Sequence, residues 1–337
     1  MNKKRPIDRQ REAAINLTVS DDDDKSALQD FLSTSSALYV IKGSGVYKIQ
    51  LADDIDPKRT NAAIPNLSQR VLLAGYDNEV VARILLTAKG LFDEKNATVN
   101  PFVGSIFERS LDLTKHVLEL HEMISDLREK ITQKEIAFLE KEQIPNTFYL
   151  PSIPDLDKSL HNIFVKSDKA KDTILALYRL HFLPDAENKP QLAEYDSAID
   201  SLLNAAPDLV SAWSETKKTF NLIRNMRNAS EHPKEGQKII LTDFAMNPDG
   251  TVNPPLVEIQ HKDTPIHLLP LVEILDFIQN LVLNSAESAL VFIRCAMLLD
   301  KNPFGETVAE FPSDERRHSL VRYYRAKNMG GKMRILG

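Results

Sequence analysis

The residues best suited to chemistry lie close together in Asn221–Pro233, where Arg227 and Asn228 are followed by three residues and then His232. A guanidinium can neutralise charge on phosphoryl oxygens, and an imidazole can give and take a proton near neutral pH. These are groups that transesterification of RNA needs: a base for the 2′-hydroxyl, an acid for the leaving 5′-oxygen and a cation for the phosphoryl oxygens. That chemistry requires no metal, because the nucleophile is already held beside the phosphorus. On a straight helix, residues five apart differ by about 140° in azimuth, so Arg227 and His232 would not converge. Pro233 changes this, since it disfavours helical backbone at His232. The helix is therefore expected to end near Glu231, with Arg227 in its last turn and His232 able to swing back. The same residue types also act as ordinary caps that satisfy loose carbonyls, and the sequence leaves both roles open.

The spacing Arg227-Asn228-x-x-x-His232 resembles the Arg-Asn-x-x-x-His motif of HEPN domains, an α-helical family containing many metal-independent endoribonucleases. The resemblance covers Asp155–Leu299 and does not reach the N-terminal half. It implies that His232 does acid/base work, that Arg227 stabilises transition-state charge, and that Asn228 positions the motif or a phosphate. It further implies 2′,3′-cyclic phosphate and 5′-hydroxyl products and a homodimer whose two motifs form one composite site. The setting it implies is a toxin or antiviral defence effector, with an inhibitor or a sensing partner. A non-catalytic HEPN-like module that binds a nucleotide, RNA or a protein is the alternative. Some family members carry a Tyr two residues after the His that takes part in control by modification; here that position is Lys234.

Charge places the expected RNA contacts. The net charge of −6 argues against a protein that coats nucleic acid with its whole surface. Basic residues are concentrated in Lys217–Lys238, with six bases against Glu231 and Glu235, and in Asp314–Gly337, with seven bases against Asp314 and Glu315. RNA contacts are expected at Arg224 and Lys234 beside the motif, and at Arg322 and Arg325, whose neighbours Tyr323 and Tyr324 could stack on bases. A solvated basic tail is the other reading of that last segment.

Other candidates are weaker. His116 and His121 with Glu119 and Glu122 have the composition of a metal site, but a five-residue spacing puts the two imidazoles on different helix faces. His261 and His267 read as surface or core polar groups. Cys295 beside Arg294 reads as a buried thiol with no histidine near it in sequence. Trp213 and Phe220, seven apart, read as core. The single Cys excludes an internal disulfide or a Cys-based zinc site, and no metal or cofactor is implied.

These residues must be positioned by a scaffold of 337 residues, about the size of two domains. Hydrophobic content is 42% and aromatics only 7%, so Leu, Ile, Val and Ala carry the apolar load, a mixture that leans helical. The expected fold is mainly α: a HEPN-like helical bundle with a β-hairpin insertion, plus an N-terminal α-rich region with a small β-hairpin and a long heptad-patterned helix. The expected divisions are a flexible polar leader over 1–35, a regulatory region over 36–150, the HEPN-like domain over 151–300 and a basic segment over 301–337. The Asp21–Asp24 run in the leader is assigned no function.

The patterning behind this is specific. Ala37–Leu51, centred on Gly43-Ser44-Gly45, reads as a hairpin rather than a phosphate loop, because no helix opens after it. Ser68–Phe92 reads as a helix. Ile106, Leu113, Val117, Leu120, Ile124, Leu127 and Ile131 form a heptad seam extending to about Glu142. That seam suits either a helix packed in its own domain or a dimeric coiled coil. Pro145, Pro151 and Pro154 mark a boundary. Helices follow over Leu156–His181, Gln191–Ala205 and Asp208–Glu231. A hairpin is expected from Lys238–Phe244 and Leu256–His261 around Asn247-Pro248-Asp249-Gly250, then a helix over Ile266–Leu299. Glu273, Asp276, Glu287 and Arg294 interrupt that last stretch, and the basic N-terminus has no apolar run, so the expectation is a cytoplasmic protein with no membrane partner.

Overall fold

In a computed structural model of the chain, the described residues are 5–13, 19, 24–34, 37–92, 101–140, 149–187, 189–300, 302 and 304–336. They form helices α1 (Pro6–Ala13), α2 (Ala52–Ile55), α3 (Thr87–Phe92), α4 (Pro101–Leu139), α5 (Leu156–Phe182), α6 (Leu192–Asp200), α7 (Pro207–Glu231) and α8 (Leu271–Asp300). The strands are β1 (Leu28–Ser33), β2 (Leu38–Lys42), β3 (Val46–Gln50), β4 (Leu67–Leu72), β5 (Lys238–Thr242), β6 (Ala245–Met246), β7 (Val252–Asn253), β8 (Leu256–Gln260), β9 (Ile266–Pro270), β10 (Glu306–Glu310), β11 (Tyr323–Met329) and β12 (Lys332–Ile335). About 51% of the chain is helical and 20% strand, with four small sheets among the described residues, so the expectation of a mainly α fold built on a HEPN-like helical bundle is corrected to a mixed α/β architecture.

The strands that the sequence reading missed have physical reasons. Ser68–Phe92 is not one helix: β4 occupies Leu67–Leu72, and a π-helical turn over Val81–Leu86 leads into α3 only after Gly75 and Asn78. The basic C-terminal segment is not a solvated tail. It forms the antiparallel sheet β10-β11-β12, in which Tyr324 and Ala326 face the core while Tyr323, Arg325 and Lys327 alternate outward. Gly330 and Gly331, at φ 65° and 85°, supply the left-handed backbone that a two-residue hairpin turn requires. The helix expected from Ile266 begins at Leu271, because Ile266–Pro270 pairs with β8 as the third strand of sheet β5-β8-β9.

The chain divides into two compact units, Met1–Leu111 with Asn302–Gly337, and Asp112–Lys301. This grouping differs from the expected divisions in joining the C-terminal segment to the N-terminal region. In the first unit, β1-β2-β3-β4 make an antiparallel sheet with Leu32, Val40, Tyr47 and Ile49 buried. The C-terminal sheet is anchored there. Its strand β11 packs on α3, His318 Nε2 lies 2.9 Å from the Tyr76 carbonyl, and the two rings meet edge to face at 4.3 Å. The leader contributes β1 and a buried side chain, Asp24.

In the second unit, α5 packs against α7 and α8, and α6 bridges α5 and α7. The core is an aromatic cluster in which Tyr178 and Tyr195 flank Trp213 at 5.1 and 5.9 Å between ring centroids, with Phe220 and Phe292 beside them. The Trp213 indole donates to Asp196 at 2.7 Å. The heptad residues Leu113, Val117, Leu120, Ile124, Leu127 and Ile131 are at most 2% exposed, so the seam is covered within the chain and is not open to a coiled-coil partner. Helix α8 is long and apolar enough to span a bilayer, yet Leu271, Ile274, Leu275, Ile278, Val282 and Leu290 are buried in this unit.

Candidate functional site

The C-terminal end of α7 gathers the motif. Apolar residues on one face, Phe220, Ile223, Met226 and Ala229, bury the helix, which leaves Arg224, Arg227, Asn228, Ser230 and Glu231 toward its open sides. The helix stops at Glu231, ahead of Pro233, and His232 adopts φ −130°, ψ 65°. Its backbone N–H donates to the Asn228 carbonyl at 2.9 Å, closing the last turn. Gln237 then donates its side-chain amide to the carbonyls of Asn228 and His232 at 3.3 and 3.2 Å. Lys234 and Gln237 exchange backbone hydrogen bonds across Glu235-Gly236, so the chain turns sharply just past the motif. The Asn228 carbonyl is thus met by backbone and by Gln237, and the His232 carbonyl by Gln237.

The motif side chains form a connected group. Arg227 donates to Asn228 Oδ1 at 3.3 Å and is ion-paired with Glu231 one turn on. The same Glu231 carboxylate lies 3.8 Å from His232 Nε2. The imidazole is 70% exposed and the Arg227 side chain about a third exposed, so a polyanion can reach both. Glu231 was counted in the sequence only as one acid among bases. Its position four residues after Arg227 was the signal that the two would pair on one helix face. Ser230, also on this end, meets His161 of α5, whose Nδ1 is 2.8 Å from Ser230 Oγ. That contact spans 69 residues, and nothing local in the sequence announces it.

The flanking residues divide. Arg224 is exposed and donates to Asn221 at 3.0 Å, and Lys234 is exposed beside His232. Arg322 and Arg325 belong to the other unit. The Arg322 guanidinium sits 5.4 Å over the Tyr323 ring. Arg325 is held by Glu306 at 3.0 and 2.8 Å across β10 and β11, which neutralises its charge inside its own sheet. Among the described residues no group of three His, Cys, Asp or Glu is arranged to hold a metal ion. His116 and His121 turn to separate partners, Lys166 and Gln279. Profiles of protein families, curated proteins and solved structures all yield no match to this chain.

Proposed function

We propose that this chain is an endoribonuclease that cleaves RNA by attack of a ribose 2′-oxygen on the adjacent phosphorus, leaving 2′,3′-cyclic phosphate and 5′-hydroxyl ends. The observation that supports it is the grouping of Arg227, Asn228 and His232 at one solvent-open helix end, with the imidazole exposed. In this reading His232 transfers a proton, Arg227 meets the phosphoryl oxygens, and Asn228 orients the guanidinium through its Oδ1. Arg224 and Lys234 supply further positive charge along the RNA path. Glu231 competes with a phosphate for Arg227, so anions that engage Arg227 and its neighbours together are favoured over isolated ones. The Arg227–Glu231 pair is also the one observation that favours the rival reading, a non-catalytic binding module in which the guanidinium serves the helix end.

The test is cleavage of a labelled RNA in EDTA by wild type, His232→Ala and Arg227→Ala, with product ends identified by phosphatase and kinase treatment. Cleavage by wild type, with each variant slowed at least 100-fold, is the expected result. Full cleavage by His232→Ala removes the proposed site. An intact RNA with retained, salt-sensitive RNA binding selects the binding module.

A further inference from the structure

The proposed reaction moves two protons, one off the 2′-hydroxyl and one onto the 5′-oxygen, whereas the motif supplies one imidazole per chain. A second imidazole stands beside it in the same chain. His161 lies in the second turn of α5, half-buried, where the buried Leu160, Ile163 and Phe164 fix that helix in the core. Its Nδ1 is 2.8 Å from the hydroxyl of Ser230. Ser230 follows Arg227 by three residues and Glu231 follows it by four, so these two side chains flank the guanidinium on the helix surface. His161 is thereby tied to one side of Arg227, while His232 leaves the helix next to Glu231 on the other. The hydrogen bond with Ser230 occupies Nδ1 and fixes the ring. Nε2 has no hydrogen-bond partner among the described residues. Asp157 and Lys158 stand one turn before His161 on α5, and on α7 Arg227 and Glu231 stand within one turn of Ser230.

We propose that His161 is the second proton-transfer group of this site, so that one chain carries both imidazoles on either side of the phosphate-binding guanidinium. The proposal rests on the ribonuclease reading and deepens it. As the O2′–P bond forms, the 2′-hydroxyl proton passes to one imidazole. As the P–O5′ bond breaks, the leaving oxygen takes a proton from the other ring in its imidazolium form. Two ends result, one a 2′,3′-cyclic phosphate and the other a 5′-hydroxyl, with no added reactant. Ser230 acts as a positioning residue that holds the His161 ring.

The experiment compares full-length wild type, His161→Gln, His232→Gln and Ser230→Ala on an RNA oligonucleotide with an ordinary linkage and on one with sulfur at the 5′-bridging position. A departing thiolate needs no acid. The expected result is that His161→Gln and His232→Gln each slow the ordinary substrate at least 100-fold, each losing a different limb of the pH–rate profile. The sulfur linkage restores one of the two variants and not the other. Ser230→Ala lowers kcat about tenfold with KM unchanged. A second measurement uses the wild type alone: a 2′-deoxy oligonucleotide should shift the imidazole NMR signals of both His161 and His232. If His161→Gln cuts within threefold of wild type and keeps both limbs while His232→Gln is inactive, this inference is overturned and the ribonuclease reading stands. A His161 signal that the oligonucleotide leaves unmoved overturns it equally. Wild type that leaves the ordinary RNA uncut removes the ribonuclease reading and this inference together.

Discussion

Asp24 offers the sharpest test of how the first unit is held together. Its side chain is fully buried and accepts hydrogen bonds from the Ser26 amide at 2.9 Å, the Ser26 hydroxyl at 2.5 Å, the Ser44 hydroxyl at 2.7 Å and the Tyr47 hydroxyl at 2.7 Å. The Lys42 ammonium lies 3.6 Å away and also donates to the Asp24 carbonyl at 2.7 Å. Burial works against the charge, but the bonds from Ser26, Tyr47 and Ser44 outweigh it and hold the carboxyl well below the usual carboxylate range. Asp24→Ala strips the Tyr47 and Ser44 hydroxyls of their acceptor and breaks a buried charge pair, a change that costs about 3–5 kcal/mol. Asp24→Asn keeps the shape and removes the charge, for about 2 kcal/mol. A group whose carboxyl is depressed on folding stabilises the fold above its unfolded value and loses that contribution as pH falls. The gap between wild type and Asp24→Asn should therefore be constant from pH 5 to 8 and close progressively below about pH 4. Urea titrations followed by far-UV circular dichroism, with hydrogen exchange of the β2 and β3 amides, read both effects. A loss below about 1 kcal/mol for Asp24→Ala at neutral pH, or an Asn gap that is the same at pH 3 and pH 7, refutes the reasoning.

Three further outcomes are expected. Trp213→Ala should destabilise the second unit by about 3–5 kcal/mol, because the indole fills the aromatic cluster, while Trp213→Phe should cost about 1 kcal/mol for the lost bond to Asp196; urea titrations separate the two. Gly75→Ala should destabilise by about 3 kcal/mol or more in thermal melts, since a Cβ there would sit 2.1 Å from the Lys42 carbonyl oxygen and 2.4 Å from the Gly45 nitrogen. Cys295 should be alkylated by iodoacetamide at pH 8 at least ten times more slowly in the native protein than in urea, because burial pushes its thiol up, against the smaller opposing effect of Arg294.

What could be read in advance follows from where signals are local. Helices α5 and α7 carry apolar residues at helical spacing and end just before Leu183-Pro184 and His232-Pro233, so their positions were legible within a residue or two, whereas α6 stops at Asp200, five residues short of the expected Ala205. Strands β2 and β3 were legible because Gly43-Ser44-Gly45 punctuates two β-branched runs. Strand β11 was not, since it buries only Tyr324 and Ala326 between charged neighbours, too little apolar contrast for a period of two to register. The heptad seam of α4 was plain, but periodicity names a buried face without naming what buries it. At the site, Arg227, Asn228 and His232 were visible as types and spacing. The Glu231 pairing was hidden in a charge tally, and His161 is brought there only by α5 packing on α7. Asp24, in a run of four aspartates, carried no hint that one carboxylate would be buried while charged.

The make-up of the first unit from Met1–Leu111 and Asn302–Gly337 has a kinetic corollary. The second unit is a guest sequence inserted into its host, so a ribosome finishes the guest before β10–β12 exist. Helix α3 emerges early without β11, the strand on which it packs, and the host must close over a long loop. Nascent chains stalled where Lys301 has cleared the exit tunnel but β10–β12 have not should thus hold a protease-resistant guest and an unfinished host, an order of assembly opposite to the usual N-terminal-first sequence.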